Sequence, residues 1–216
     1  MKLKLSGCAL GLALALATPW PALAHDAAHH AAQDTASDMA NDTPAAEPTR
    51  VQLLDLALVD SEGREQLFRS EVLADRIVAL NFIYTSCTTV CPVMSAIFGA
   101  VQEELGDRPD IRLVTISIDP ATDLPPRLNR YAQQFGPGPG WTFLTGEKTR
   151  VTKVLAGLGA FAPEFEEHPS MVLIGDASRN VWRRFYGFAS PDAIVAELER
   201  LAAARRDHAE QKEPTR

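Results

Sequence analysis

The sequence predicts an α/β domain: a central mixed β-sheet flanked by helices. Three observations carry that expectation. Residues 77–84 are a near-continuous apolar run, as in a strand covered on both faces, and 111–118 is a second strand rich in β-branched residues. Segments with helical spacing follow these strands, so strand and helix alternate and the sheet should be largely parallel. The chain then closes on two short strands and a helix, which adds an antiparallel edge.

In chain order, 51–58 and 66–68 read as an N-terminal hairpin around Asp60-Ser61-Glu62-Gly63. Residues 77–84 form the first core strand. A helix should run from 92 to about 105, with Pro92 in its first turn, where a missing N–H is tolerated. Residues 111–118 form the second core strand, ended by Asp119-Pro120. Leu124, Leu128, Tyr131 and Phe135 stand at helical spacing, and Gly136-Pro137-Gly138-Pro139-Gly140 stops that helix. A short strand at 141–144 and a helix at 147–158 follow. Residues 170–174 and 181–185 pair as a hairpin, and 191 to about 204 is the closing helix. That order of elements is thioredoxin-like.

The flanks read differently. Lys2 and Lys4 precede an apolar run, Pro19 and Pro21 break it, and Ala22-Leu23-Ala24 has the form of a cleavage site. Residues 1–24 therefore read as a secretory signal, with a run too short to cross a bilayer comfortably, and an uncleaved N-terminal membrane anchor is the alternative. Cys8 precedes most of the apolar stretch instead of ending it, so it reads as an ordinary signal residue. Residues 25–50 hold eight alanines, five acids and three histidines but no Leu, Ile, Val or aromatic residue. Such a segment cannot bury enough apolar surface to offset its ordering entropy, and a disordered tether is expected. The folded domain is expected over 51–205, with a polar tail at 206–216. His25, His29 and His30 lie on the tether and form a secondary candidate metal site. Export implies an oxidising compartment, here the periplasm.

Composition excludes several classes. Of 216 residues, 46% are hydrophobic and 23% charged, which is a globular balance and not that of a disordered chain. The formal charge of −7, with no dense Lys/Arg run, leaves no electrostatic footprint for nucleic acid. Three cysteines are too few for a disulfide-stapled small fold.

Two of those cysteines carry the chemistry. Cys87-Thr88-Thr89-Val90-Cys91-Pro92 follows the first core strand directly. Reactive groups of open α/β sheets gather at the carboxyl ends of strands. Cys91 should stand at the helix N-terminus, where the dipole favours thiolate, with Cys87 in the loop above it. A thiol–disulfide exchanger, a thiol peroxidase, a soft-metal site and a static disulfide could each use such a pair. A static bridge closing so short a loop would stabilise little. The spacing is one residue longer than C-x-x-C, which lets both sulfurs share a metal. Two thiolates favour Cu(I), zinc or Fe–S clusters, and of these Cu(I) is satisfied by two or three soft ligands. His168 is a candidate third ligand. It lies in a loop that enters the 170–174 strand, and in a thioredoxin-like fold that loop faces the cysteine turn.

These features together resemble the Sco/SenC family. The resemblance rests on Cys87-Thr88-Thr89-Val90-Cys91-Pro92 after an apolar strand, on Ser117-Ile118-Asp119-Pro120 ending the next strand, and on His168 eight residues before Asp176. It covers about 51–205. Pro169 after the histidine departs from the family pattern, as does a tether behind a signal segment in place of a membrane anchor. The resemblance implies a thioredoxin-like fold with Cu(I)/Cu(II) bound by Cys87, Cys91 and His168, and a Cys87–Cys91 disulfide when oxidised. It implies a metallochaperone that delivers copper to, or prepares the cysteines of, a copper centre in a respiratory oxidase. The implied partners are a copper-receiving oxidase subunit, a periplasmic copper donor and a thiol reductant protein. A thiol–disulfide reductase without metal delivery remains the alternative, followed by a thiol peroxidase.

Weaker signals complete the reading. Asp119 is expected to form the turn before Pro120, with contact to the site as its other role. Met94 and Met171 are expected as core filler. Trp141, Trp182, Phe185 and Tyr186 are expected in the core or on a sheet face.

Overall fold

The most apolar run of the expected folded domain becomes the middle of the sheet. All seven residues from Ile77 to Ile83 are buried. The computed structural model describes residues 45–164 and 168–212. The expected signal segment, most of the tether with His25, His29 and His30, and residues 213–216 lie outside the described residues. The strands are β1 (Glu47–Thr49), β2 (Ala57–Asp60), β3 (Glu65–Leu67), β4 (Ile77–Ile83), β5 (Ile111–Ser117), β6 (Trp141–Thr145), β7 (Met171–Asp176) and β8 (Val181–Tyr186). The helices are α1 (Val90–Leu105), α2 (Pro125–Ala132), α3 (Lys148–Gly157) and α4 (Pro191–Lys212). Among the described residues, one sheet contains all eight strands, in the order β1-β8-β7-β4-β5-β6-β2-β3.

The sheet is parallel only across β4, β5 and β6. The β2–β3, β2–β6, β4–β7, β7–β8 and β1–β8 pairs are antiparallel. The expectation of a largely parallel sheet is therefore corrected. The turns after β2 and β7 are too short for a crossover helix, so those hairpins must pair antiparallel.

Alternation along β4 divides the core in two. Ile77, Ala79 and Ile83 face a layer containing Phe98 of α1, Leu128 of α2 and Leu198 of α4. Val78, Leu80 and Phe82 face Val72, Val154 and Leu155 on the other side. The α1 helix presents Cys91, Met94, Phe98 and Val101 inward at helical spacing, so Cys91 belongs to the buried stripe. Phe98 anchors that stripe, and a phenylalanine so buried is worth roughly 3–5 kcal/mol over alanine. The helix ends at Gly106, whose φ of 60° lies in the left-handed region and whose N–H donates to the Gln102 carbonyl.

Boundaries differ from the sequence reading where backbone pairing decides. Glu47–Thr49, read as tether, adds to β8 as an edge strand. Backbone bonds suffice there without apolar side chains, and Pro48 is tolerated at an edge. The first hairpin begins at Ala57 instead of 51. Its turn is set by buried Asp60, whose carboxylate accepts the N–H groups of Glu62 and Arg64 at 3.0 and 2.9 Å. Phe68, read as strand, opens a π-helical turn over Phe68–Leu73. The last helix continues past 204 to Lys212 because Ala, Arg and Glu sustain helix after the apolar stripe has ended.

Candidate metal centre

Topology brings three loops to one end of the sheet. The cysteine turn leaves the carboxyl end of β4. The 118–124 loop leaves the carboxyl end of β5. The β7 strand runs antiparallel to β4 with Asn81 opposite Val172, so the residues preceding Met171 extend over the end of β4. His168 thereby reaches the cysteine turn.

Cys87, Cys91 and His168 line one cavity of about 150 Å³, together with Phe82, Tyr84 and Met94. The two cysteines are free thiols. Cys87 is half-buried and Cys91 buried. The Cys87 N–H donates to the Tyr84 carbonyl at 3.1 Å, which folds the loop back over the strand end. The Cys91 N–H donates to Cys87 Sγ at 3.4 Å. The Thr89 hydroxyl stands 3.9 Å from the same sulfur.

These contacts separate the two thiols. Partial burial pushes Cys87 up, but hydrogen bonds from Cys91 and Thr89 outweigh it and bring the thiol down to about 6. Burial pushes Cys91 up to about 12, and the neighbouring Cys87 sulfur adds to the rise. At neutral pH the outer sulfur is a thiolate and the inner one a thiol. The result is checked by alkylation. Iodoacetamide should modify Cys87 along a pH profile with a midpoint near 6, while Cys91 stays unmodified through the neutral range. A Cys87 midpoint near about 8.5, the ordinary thiol value, would contradict it.

His168 has a different character. Its ring packs against Phe82 with centroids 5.6 Å apart. Burial holds its pKa down at about 4, so it is a neutral imidazole at physiological pH. Its Nε2 is buried without a hydrogen-bond partner. An orphaned polar atom in a cavity with two cysteines fits a soft metal, since neutral imidazole and thiolate are its preferred donors. Among the described residues, no three His, Cys, Asp or Glu side chains stand close enough to hold an ion as placed. The cavity gathers the candidate donors without forming a finished coordination sphere.

The turn is tied down by a residue that sequence reasoning missed. Asp123 is fully buried. Its carboxylate accepts the Thr85 N–H at 3.0 Å, the Thr85 hydroxyl at 2.5 Å and the Ser117 hydroxyl at 2.7 Å. The Arg127 Nε donates to the Thr85 hydroxyl at 2.6 Å and lies 3.7 Å from Asp123. The start of the cysteine turn is thus fastened to the end of β5. Asp119 serves as the turn-former, its carbonyl accepting the N–H groups of Thr122 and Asp123. Met94 lines the cavity, while Met171, Trp141, Trp182 and Phe185 are core residues. Tyr186 is exposed beneath the Arg184 guanidinium.

Comparison with known proteins bears on this arrangement. The family model described as SCO1/SenC matches residues 51–203. The chain is 35% identical over 102 residues to a SCO1 protein homolog of Bacillus subtilis (strain 168), covering 46% of this chain and 52% of that protein. The match thus spans about half the length of that relative. A Stutzerimonas stutzeri protein, provisionally named as copper-binding, is 33% identical over 160 residues, with 72% of each chain covered. The solved structure of BsSco matches with a TM-score of 0.61 at 20% identity, covering 73% of this chain and 96% of that one. BsSco is described as having a disulfide switch and as a member of the Sco family of cytochrome c oxidase assembly proteins. At that identity the likeness is one of fold, and the thioredoxin-like expectation holds.

Proposed function

The chain belongs to the SCO1/SenC family, and on that premise we propose that it binds copper through Cys87, Cys91 and His168 and helps assemble the copper centre of a respiratory oxidase. The observation that carries this reading is the single cavity lined by all three side chains, with His168 Nε2 buried and unpartnered. The relative named for copper binding and the family description of BsSco support the metal and the target. The receiving partner is then an oxidase subunit, supplied through a copper donor upstream. The basic start, apolar run and Ala22-Leu23-Ala24 support a periplasmic location.

Proton accounting follows from the two thiols. Cys87 enters at neutral pH as a thiolate, whereas Cys91, held at about 12, must release its proton to ligate. His168 is already neutral and releases none. Oxidation to a Cys87–Cys91 disulfide removes both thiolate donors, so loading in an oxidising compartment requires a thiol reductant protein. The test is a copper titration of reduced and fully oxidised protein. Reduced protein should take up one copper per chain and oxidised protein none with comparable affinity. Equal uptake by both would refute the reading.

The asymmetry of the thiols favours a second reading, reduction of a target's cysteines. The Cys87 thiolate would attack a target disulfide, forming a mixed disulfide and releasing one target thiolate. The Cys91 sulfur, after losing its proton, would attack Cys87, forming the Cys87–Cys91 disulfide and releasing the second target thiol. His168→Ala separates the readings, because a reductase tolerates that change and a copper carrier does not.

A further inference from the structure

The opposite end of the sheet holds two arginines that, among the described residues, pair with no carboxylate. Arg76 immediately precedes β4, and Arg112 is the second residue of β5. The β4–β5 register sets Val78 beside Arg112, so Arg76 lies diagonally next to Arg112 at the same sheet end. Burial holds Arg112 below its ordinary value, and the like charge of Arg76 lowers it further. Each guanidinium carries a buried nitrogen with no acceptor, Nη1 of Arg76 and Nε of Arg112. The Arg112 side chain donates to the Thr142 hydroxyl at 3.3 Å, and neither arginine has a carboxylate partner among the described residues. Arg64, Arg108, Arg200 and Arg205 each bind a carboxylate. In a chain of net charge −7, a bare pair of partly buried guanidinium groups is a departure that packing alone does not account for.

Both arginines line a cavity of about 680 Å³, within the range of small-molecule sites. Leu105, Pro109 and Pro139 give it an apolar side. Glu103 and Asp107 also line it, but both are exposed to solvent at the rim and pair with neither arginine. We propose that this cavity binds a small organic anion, its carboxylate or phosphate head bridging Arg76 and Arg112 and its apolar body against Leu105, Pro109 and Pro139. Paired guanidinium groups give an oxyanion charge-assisted, fork-like hydrogen bonds, which compensate the two like charges. The site lies at the amino ends of the parallel strands, and the cysteine turn lies at their carboxyl ends, so this proposal is independent of copper binding.

The test is an NMR titration of the reduced, ¹⁵N-labelled protein with hexanoate, and in parallel with hexylamine, which has the same apolar body and the opposite charge. Hexanoate should produce saturable shifts at the amides of Ile111, Leu113 and Gly140. Hexylamine should not. Arg76→Gln and Arg112→Gln should each weaken hexanoate binding by about tenfold, the loss of one charge-assisted hydrogen bond. Equal response to hexylamine, unsaturable shifts, or unchanged affinity in folded variants would overturn the proposal. The comparison of the two probes in the unmutated protein stands even if a variant fails to fold.

Discussion

Replacing His168 with alanine should lower the copper affinity of the reduced protein by more than about 100-fold, beyond what loss of an outer-shell partner costs. The same change should leave the unloaded protein as stable as before, or more so. His168 Nε2 is buried without a partner, and removing an unsatisfied polar atom relieves a desolvation cost while losing the contact with Phe82. Loss of metal without loss of stability marks a residue kept for ligation and not for packing. Acid dependence gives a second readout. Burial depresses the His168 pKa from 6.5 to about 4, so between those values the unfolded chain binds the proton and the folded one resists it. Above 6.5 the buried neutral ring carries no proton-linked penalty, and stability is lost progressively as pH falls from 6.5 toward 4. Urea unfolding across that window should show a shallower acid loss in His168→Ala. Cys87→Ser and Cys91→Ser, by contrast, should each abolish stoichiometric copper uptake, because serine offers no soft thiolate.

Asp123→Ala should cost about 3 kcal/mol of folding stability, as removal of one partner from a buried polar network does. The Arg127 guanidinium is 43% exposed, so its pairing with Asp123 is screened and supplies little of that loss. Most of it comes from the Thr85 N–H and the Thr85 and Ser117 hydroxyls, left without their acceptor in the interior. Because Thr85 begins the cysteine turn, copper affinity should fall as well. Asp123→Asn, which keeps a side-chain carbonyl for part of the network, should be milder in both respects. Denaturant unfolding and copper titration of the two variants check this. Unchanged stability in Asp123→Ala would show that the network does not hold the turn.

The cysteine turn was readable in the sequence because its determinants are local. An apolar strand, two cysteines and a proline suitable for a first helical turn lie within sixteen consecutive residues, 77–92. His168 could be placed only through the expected order of strands, and β7 running antiparallel to β4 does carry it to the cavity. Asp123 was not readable. Its partner Thr85 is 38 residues away, and nothing in the Asp119 to Asp123 stretch distinguishes the carboxylate that turns inward from the one that shapes the loop. Sequence reasoning singled out Asp119 for its position at a strand end, and the buried role went to its neighbour. The edge strand Glu47–Thr49 was hidden for a related reason. Its pairing with β8 uses backbone groups that no side-chain pattern reports. The antiparallel hairpins β2–β3 and β7–β8 likewise depend on turn length more than on strand composition.

X-ray absorption spectroscopy of the reduced, copper-loaded protein tests the ligand set most directly. The account predicts a copper first shell of two sulfur scatterers from Cys87 and Cys91 and one nitrogen scatterer from His168, with the nitrogen lost in His168→Ala. A shell of nitrogen and oxygen alone, or a nitrogen unaffected by that substitution, would contradict it.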